Sequence, residues 1–258
     1  MLIMNNISVR VIVTSCIKYS DLWAPLFYSY NRYWSDNTWP ISLVTDSRPK
    51  NINLTRDIFV YTAGEKENWS NILLKYLNEI DEEIVFLLLE DFFLQDYVNH
   101  DLLRVIADLF LNDKYKYIRL VPRPKPEINS PLLISRINEN EKYRVSTQSS
   151  LWRRETLLNI LKEGETPWEF EINGTYRSKS ITGFYGSQID LFPYKHHCIQ
   201  RGKWFPWSFH KFKSRGYPII KSKRQIMTLD ETFFWILKKI LISTKRFGKN
   251  LIKFIFLK

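Results

Sequence analysis

Apolar side chains recur along this chain with two different spacings, and the switches between them mark out its elements. Residues 7–13 alternate and are rich in β-branched side chains, which predicts a first strand. Leu22, Trp23, Leu26, Phe27 and Tyr30 then follow a helical period behind a Ser20-Asp21 start, which predicts a helix over residues 21–33. Residues 40–45 read as a second strand ending at Asp46, and residues 57–61 as a short third. An amphipathic helix over 69–80 begins near Asn68. Residues 84–89 are six apolar side chains in succession that stop at Glu90-Asp91, the signature of a central parallel strand covered on both faces. A helix over 100–111 and a strand over 117–121 follow.

This order predicts an α/β domain with a Rossmann-type, mostly parallel sheet flanked by helices. Such sheets bind ligands at the carboxyl ends of their strands. Here those ends are Thr14-Ser15, Asp46 and Glu90-Asp91, all polar and all expected to face one crevice. Beyond Val121 the rhythm changes. Prolines 122, 124, 126 and 131 predict an extended loop. Residues 143–146 read as a strand, 154–161 as a helix, and 167–172 as a helical turn with Pro167 in its first position. A strand-like stretch over 189–199 surrounds Pro193, and 205–217 is aromatic and basic without a clear period. Residues 232–258 regain a helical period, with Leu237, Ile240, Leu241, Phe247, Leu251, Phe254 and Ile255 on one side and Lys238, Lys245, Lys249 and Lys253 on another.

Composition narrows the class. At 258 residues the chain is long enough for a large core without staples, and 45% hydrophobic with 25% charged residues excludes disordered and collagen-like chains. Two cysteines, Cys16 and Cys198, exclude a disulfide scaffold and a four-cysteine zinc module, and fit a reducing cytosol. Only eight glycines argue against Gly-rich phosphate loops. No signal peptide is expected, and no apolar run reaches the ~18 residues that span a bilayer. The net charge of +11 is uneven: residues 195–258 hold 16 Lys and Arg against two acids, Asp230 and Glu231, while the other 194 residues carry 22 basic and 25 acidic side chains. A basic tail interleaved with Phe, Trp, Ile and Leu points to an anionic membrane surface more than to nucleic acid. The bland alternative is a terminal helix packed on the domain with solvated lysines.

The sharpest chemical signal is Glu90-Asp91. Carboxylates at the end of a buried strand are costly unless they meet a cation, donors or water, and a divalent ion on a diphosphate would suit them. As plain structure, Glu90 would cap the next helix and Asp91 would be a loop acid. The second signal is Gln148-Ser149-Ser150-Leu151-Trp152-Arg153-Arg154, followed by Leu157-Leu158 and by Trp168-Glu169-Phe170-Glu171. With Glu90-Asp91-Phe92-Phe93-Leu94, Asp46 and Trp69-Ser70, this constellation resembles bacterial nucleotide-sugar-dependent glycosyltransferases of the GT-A fold. Among these it looks most like the small enzymes of capsule and lipopolysaccharide (O-antigen) synthesis, over residues 7 to 205 or so.

The resemblance implies a nucleotide-sugar-binding half over residues 1–121 and an acceptor-binding half of the same domain over 122–231, while the charge pattern sets residues 232–258 apart as a basic membrane-surface tail. It implies a nucleotide-sugar donor, a UDP-sugar first among the choices, and a lipid-linked or lipopolysaccharide glycan acceptor at the inner face of the cytoplasmic membrane. Where GT-A enzymes carry Asp-x-Asp, this chain has Glu90-Asp91-Phe92. Either one carboxylate takes Mn²⁺ or Mg²⁺, or basic groups meet the diphosphate without a metal. An inverting transfer needs a general base, for which Glu171 and Glu169 are the candidates, Glu171 first because Trp168-x-x-Glu171 puts ring and carboxylate on one helical face. Asp46 would bind the ribose and Thr14 the base or ribose. His197 would reach the diphosphate or its metal, and Lys203 would neutralise the leaving phosphate. Two other classes compete: a nucleic-acid-binding protein that stacks bases on its basic, aromatic carboxyl-terminal third, and a nucleotidyltransferase, which would need a Gly-rich loop that residues 13–22 lack.

Overall fold

The structure, a computed structural model, describes residues 7–49, 54, 57–65, 67–124, 126 and 133–241. The chain divides into two compact units, residues 1–196 and 197–258.

The first unit is an α/β layered fold around one eight-stranded sheet. Its strands are β1 Val9–Thr14, β2 Ile41–Thr45, β3 Ile58–Thr62, β4 Ile84–Leu89, β5 Tyr117–Arg119, β6 Ile134–Arg136, β7 Ser150–Arg153 and β8 Phe184–Ser187. They lie in the order β3-β2-β1-β4-β7-β5-β8-β6. The four on the amino-terminal side are mutually parallel, β5 and β8 run with each other, and β7 and β6 run against their neighbours. The six-residue apolar run is indeed central, with β1 on one side and β7 on the other.

Helices cover both faces. Ile12, Val85 and Leu87 point to a layer made by α2 (Trp69–Leu77), α4 (Arg154–Ile160) and α5 (Pro167–Arg177), where they meet Ile72, Leu73, Leu157 and Phe170. The alternate positions face α1 (Trp23–Tyr33) and α3 (His100–Asp108). There Phe86 meets Trp34 at 5.8 Å and Phe192 at 5.0 Å, edge to face. Such ring pairs add about 1 kcal/mol each beyond the area they bury. Asn68 and Asn99 cap α2 and α3 by accepting from the amides of Asn71 and Leu102.

Several expectations change beyond Val121. Residues 143–146 form turns and bends, not a strand. Tyr143 has φ +56°, Arg144 turns inward to donate to the carbonyls of Ser178 and Ile181, and the amide of Val145 donates to Thr175 Oγ1, so no sheet partner is available to it. The strands instead lie at β6 and β7. The turn at 167–172 extends to Arg177 as α5. The 189–199 stretch is mostly bends and turns rather than a strand; it meets the sheet region through the Leu94–Tyr194 bridge, the bonds beside it, and Leu191 N donating to Leu120 O at 2.9 Å.

In the second unit, β9 Ile199–Gln200 and β10 Lys203–Trp204 form a hairpin whose two loop residues, Arg201 and Gly202, both have positive φ. That is the twist a two-residue hairpin requires, and glycine supplies it at least cost. The aromatic segment without a period is helical: α6 spans Pro206–Ser214 and buries Phe209 and Phe212. A last helix, α7, occupies residues 229–241. Its expected continuation to residue 258 lies outside the described residues. Among the described residues no helix is long and apolar enough to cross a membrane.

Candidate active site

Strand register places the acids. Thr14, the last residue of β1, pairs with Val44 on one side and Leu89 on the other. Asp46 therefore stands two residues past the β1 end and Glu90 one past it, on one carboxyl edge. Their convergence is felt by Cys16, two residues past Thr14. Burial pushes its thiol up, and the negative charges of Glu90 and Asp46 push it further.

Asp46 is held by one oxygen. Its Oδ1 accepts from the amides of Ile17 and Ser47, both at 2.7 Å, and from Thr45 Oγ1 at 3.1 Å. Among the described residues no donor reaches Oδ2. Thr14 is used differently from the expectation. It is 1% exposed; its hydroxyl donates to the carbonyl of Leu88 and accepts from Trp69 Nε1 at 2.9 Å. It ties the strand end to α2 and has no surface to offer a ligand.

Glu90 and Asp91 are the central residues of a turn closed by the amide of Phe92 donating to the carbonyl of Leu89 at 3.2 Å. Beyond it, the segment pairs with residues 193–195: Gln95 N donates to Pro193 O at 3.1 Å and Lys195 N to Phe93 O at 2.9 Å. Phe92 stacks on Tyr194 with centroids 4.0 Å apart, and the Tyr194 hydroxyl donates to Gln148 Oε1 at 2.5 Å. Burial pushes that phenol well above its ordinary value, and the charge of Asp91 adds to the shift. Tyr194 and Gln148 thus support the acidic turn, a role that no local spacing announces.

Glu171 is tied to the segment that leads into β7. β7 runs against β4 with Ser150 opposite Leu87, so the residues before Ser150 lie alongside those after Leu87. Glu171 Oε1 fixes this stretch by accepting from Ser146 Oγ at 2.9 Å, Thr147 N at 2.8 Å and Thr147 Oγ1 at 3.0 Å. Oε2 receives no donor among the described residues. The helix that carries it is latched to α2, since Glu165 N donates to Ser70 Oγ and the Glu165 carboxylate grips Arg177 with both oxygens. Glu169 stands apart. Its Oε2 accepts from the amide and hydroxyl of Thr166 while Thr166 Oγ1 accepts from the Glu169 amide, a capping box at the start of α5. Those bonds, the Thr166 amide first, hold its carboxyl below the usual range. The ring of Trp168 is 72% exposed.

His197 and Lys203 belong to the second unit. Lys203 Nζ pairs with Glu231 at 2.6 Å. His197 has φ +61°, lies edge-on to Trp235 at 5.3 Å and has Lys239 Nζ 3.4 Å from Nε2. Its neighbour His196 is the one in the first unit, with its ring 4.4 Å from Tyr194. Among the described residues no group of three His, Cys, Asp or Glu side chains converges on a metal position. The strand-end donor set is a carboxylate pair, which suits Mg²⁺ or Mn²⁺ only when phosphate and water oxygens complete the shell.

No family model and no curated protein matches this chain. Solved structures do. A mannosyltransferase from Pyrobaculum calidifontis, in complex with GDP-Man and Mn²⁺, is 15% identical, with a TM-score of 0.47 over 81% of this chain and 63% of that one. A cytidylyltransferase from Leptospira borgpetersenii is 11% identical, with a TM-score of 0.43 over 86% and 99%. A fragment of S. aureus TarS is 14% identical, with a TM-score of 0.44; it covers 70% of this chain, which spans 60% of its length. With each of these TM-scores below 0.5, the likeness assigns no chemistry, and the function is argued from the chain's own residues.

Proposed function

We propose that this protein is a glycosyltransferase that moves a sugar from a nucleotide-diphosphate donor to a hydroxyl of a glycan acceptor, lipid-linked or part of lipopolysaccharide, with inversion. The observation that carries the reading is the gathering of Asp46, Glu90 and Asp91 at one carboxyl edge of parallel strands, where open α/β sheets bind nucleotides. In this reading Oδ2 of Asp46, which no donor reaches among the described residues, accepts from the ribose hydroxyls. Glu90 and Asp91 would hold Mn²⁺ or Mg²⁺, which when bound would supply charge neutralisation for the leaving diphosphate. Glu171, oriented through Oε1, takes the acceptor proton on Oε2 as the acceptor oxygen bonds to the sugar's anomeric carbon and the bond to the diphosphate breaks. Within the second unit Lys203 pairs with Glu231 and His197 lies against Trp235, and this reading assigns no step to either. Work at the inner face of the cytoplasmic membrane belongs to the same proposal.

The test is a thermal shift with UDP, GDP and CMP, each with and without Mn²⁺. A metal-dependent rise with one diphosphate is expected. Asp91→Ala should abolish that rise while its own melting temperature stays within about 2 °C of the wild type, since loop acids contribute little to stability. No shift with any nucleotide would end the reading, and binding of single-stranded RNA in its place would move it to nucleic acid.

A further inference from the structure

The last helix of the second unit turns its apolar side outward. At about 100° per residue, Leu229, Phe233, Phe234, Leu237, Ile240 and Leu241 of α7 fall within an arc of about 140°. All are exposed, Leu229 at 86%, Phe234 at 68% and Phe233 at 59%. The helix is anchored from its opposite side. Thr232 is buried, and Trp235 packs on Phe205 at 5.2 Å and donates from Nε1 to Gln200 Oε1 at 3.0 Å. A second, independent observation is charge. Residues 197–258 carry 15 Lys and Arg against two acids, and one of these, Glu231, is already paired with Lys203. Lys221, Lys223, Lys238 and Lys239 are exposed.

These two features select the partner. Nucleic acid would satisfy the charge and leave six large apolar side chains in water. A second copy of the chain would cover the apolar arc and oppose two strongly cationic units. A bilayer containing anionic phospholipid answers both, with acyl chains for the arc and headgroups for the lysines. We propose that the exposed face of α7 is a membrane-insertion surface that seats this unit in the interface of an anionic bilayer. The inference deepens the reading of a membrane-bound acceptor by naming the surface that meets the membrane. It uses no atom of the strand-end acids, so nucleotide binding and vesicle binding succeed or fail separately.

The test is sedimentation of the full chain with phosphatidylcholine vesicles and with vesicles containing about 30% phosphatidylglycerol, at low and high salt. Binding is expected with the anionic vesicles, weakened by salt. F233E/F234E should lower the partition coefficient by more than about tenfold with circular dichroism and melting temperature unchanged; L229Q/I240Q provides the same reading should that pair perturb folding. Absence of vesicle binding by the wild type overturns the proposal. So does undiminished binding by these variants, which would leave charge alone as the cause. A wild-type dimer that F233E/F234E dissolves, with no vesicle binding, would give the face to a second copy of the chain.

Discussion

Cys16 is a built-in probe of the charge at the sheet edge. Its thiol stands above the ordinary value through burial and through the nearby carboxylates of Glu90 and Asp46, so at neutral pH less of it is thiolate. Removing one negative charge must lower its pKa and raise its reactivity. Cys198 is fully buried and contributes little background. Glu90→Gln is therefore expected to speed alkylation of Cys16 at pH 8 by about two- to tenfold; an unchanged rate, read by mass spectrometry, would mean that Glu90 does not look toward this edge. Glu171 can be tested without disturbing its anchor. In Glu171→Gln the amide oxygen can still accept from Ser146 and Thr147, while the other position loses its ability to take a proton. Turnover should fall by about 10²- to 10⁴-fold with nucleotide affinity unchanged. The acids at the strand ends were legible because an uninterrupted apolar run that breaks into charge has few explanations. Thr14 shows the limit of sequence pattern, since a strand-end hydroxyl looks the same in sequence whether it faces a ligand or, as its bond from Trp69 shows, an indole. Tyr194 was invisible because its partners, Phe92 and Gln148, are distant in the chain.

Elements before residue 121 follow from local pattern since each strand there is followed by a nearby helix or a parallel neighbour. The later ones depend on distant partners. β7 is only four residues long and owes its existence to β4 and β5 on either side, and β6 is a three-residue edge strand on β8. The basic aromatic segment hid α6 because its buried positions, Ser208, Phe209 and Phe212, mix a polar with apolar side chains while Trp207 points outward. Pro167 marks the start of α5 in the sequence, but Asn173, Gly174 and Thr175 dilute the helical signal over its second half. Its attachment gives a pH prediction. Burial alone would raise the Glu165 carboxyl, but hydrogen bonds from Arg177 and Asn173 outweigh it and leave the group below its ordinary 4.5. A depressed folded value means stability that is complete above 4.5 and lost as pH falls through the lower folded value. The melting temperature of Glu165→Gln should therefore lie below that of the wild type at pH 7, and the gap should close progressively as pH is lowered beneath 4.5. A gap that is constant across this range would show that the Arg177 pair is not what holds α5.

The two units divide both the structure and the charge. Residues 1–196 contain all eight strands of the large sheet and the helices on its two faces, and hold 23 basic against 25 acidic side chains. A unit of that length can remove about 70% of its unfolded surface from water, enough for independent stability. Its core closes on itself through Phe86, Trp34 and Phe192 on one face and Leu87, Leu157 and Phe170 on the other. The second unit supplies the positive charge and the outward-facing arc of α7. A chain ending at His196 is therefore expected to unfold in one cooperative thermal transition and to show no partition onto anionic vesicles. Retention of vesicle binding by that truncated chain would move the membrane surface to the first unit, and a chain that never acquires a transition would mean that residues 197–258 are part of the fold of the sheet rather than an addition to it.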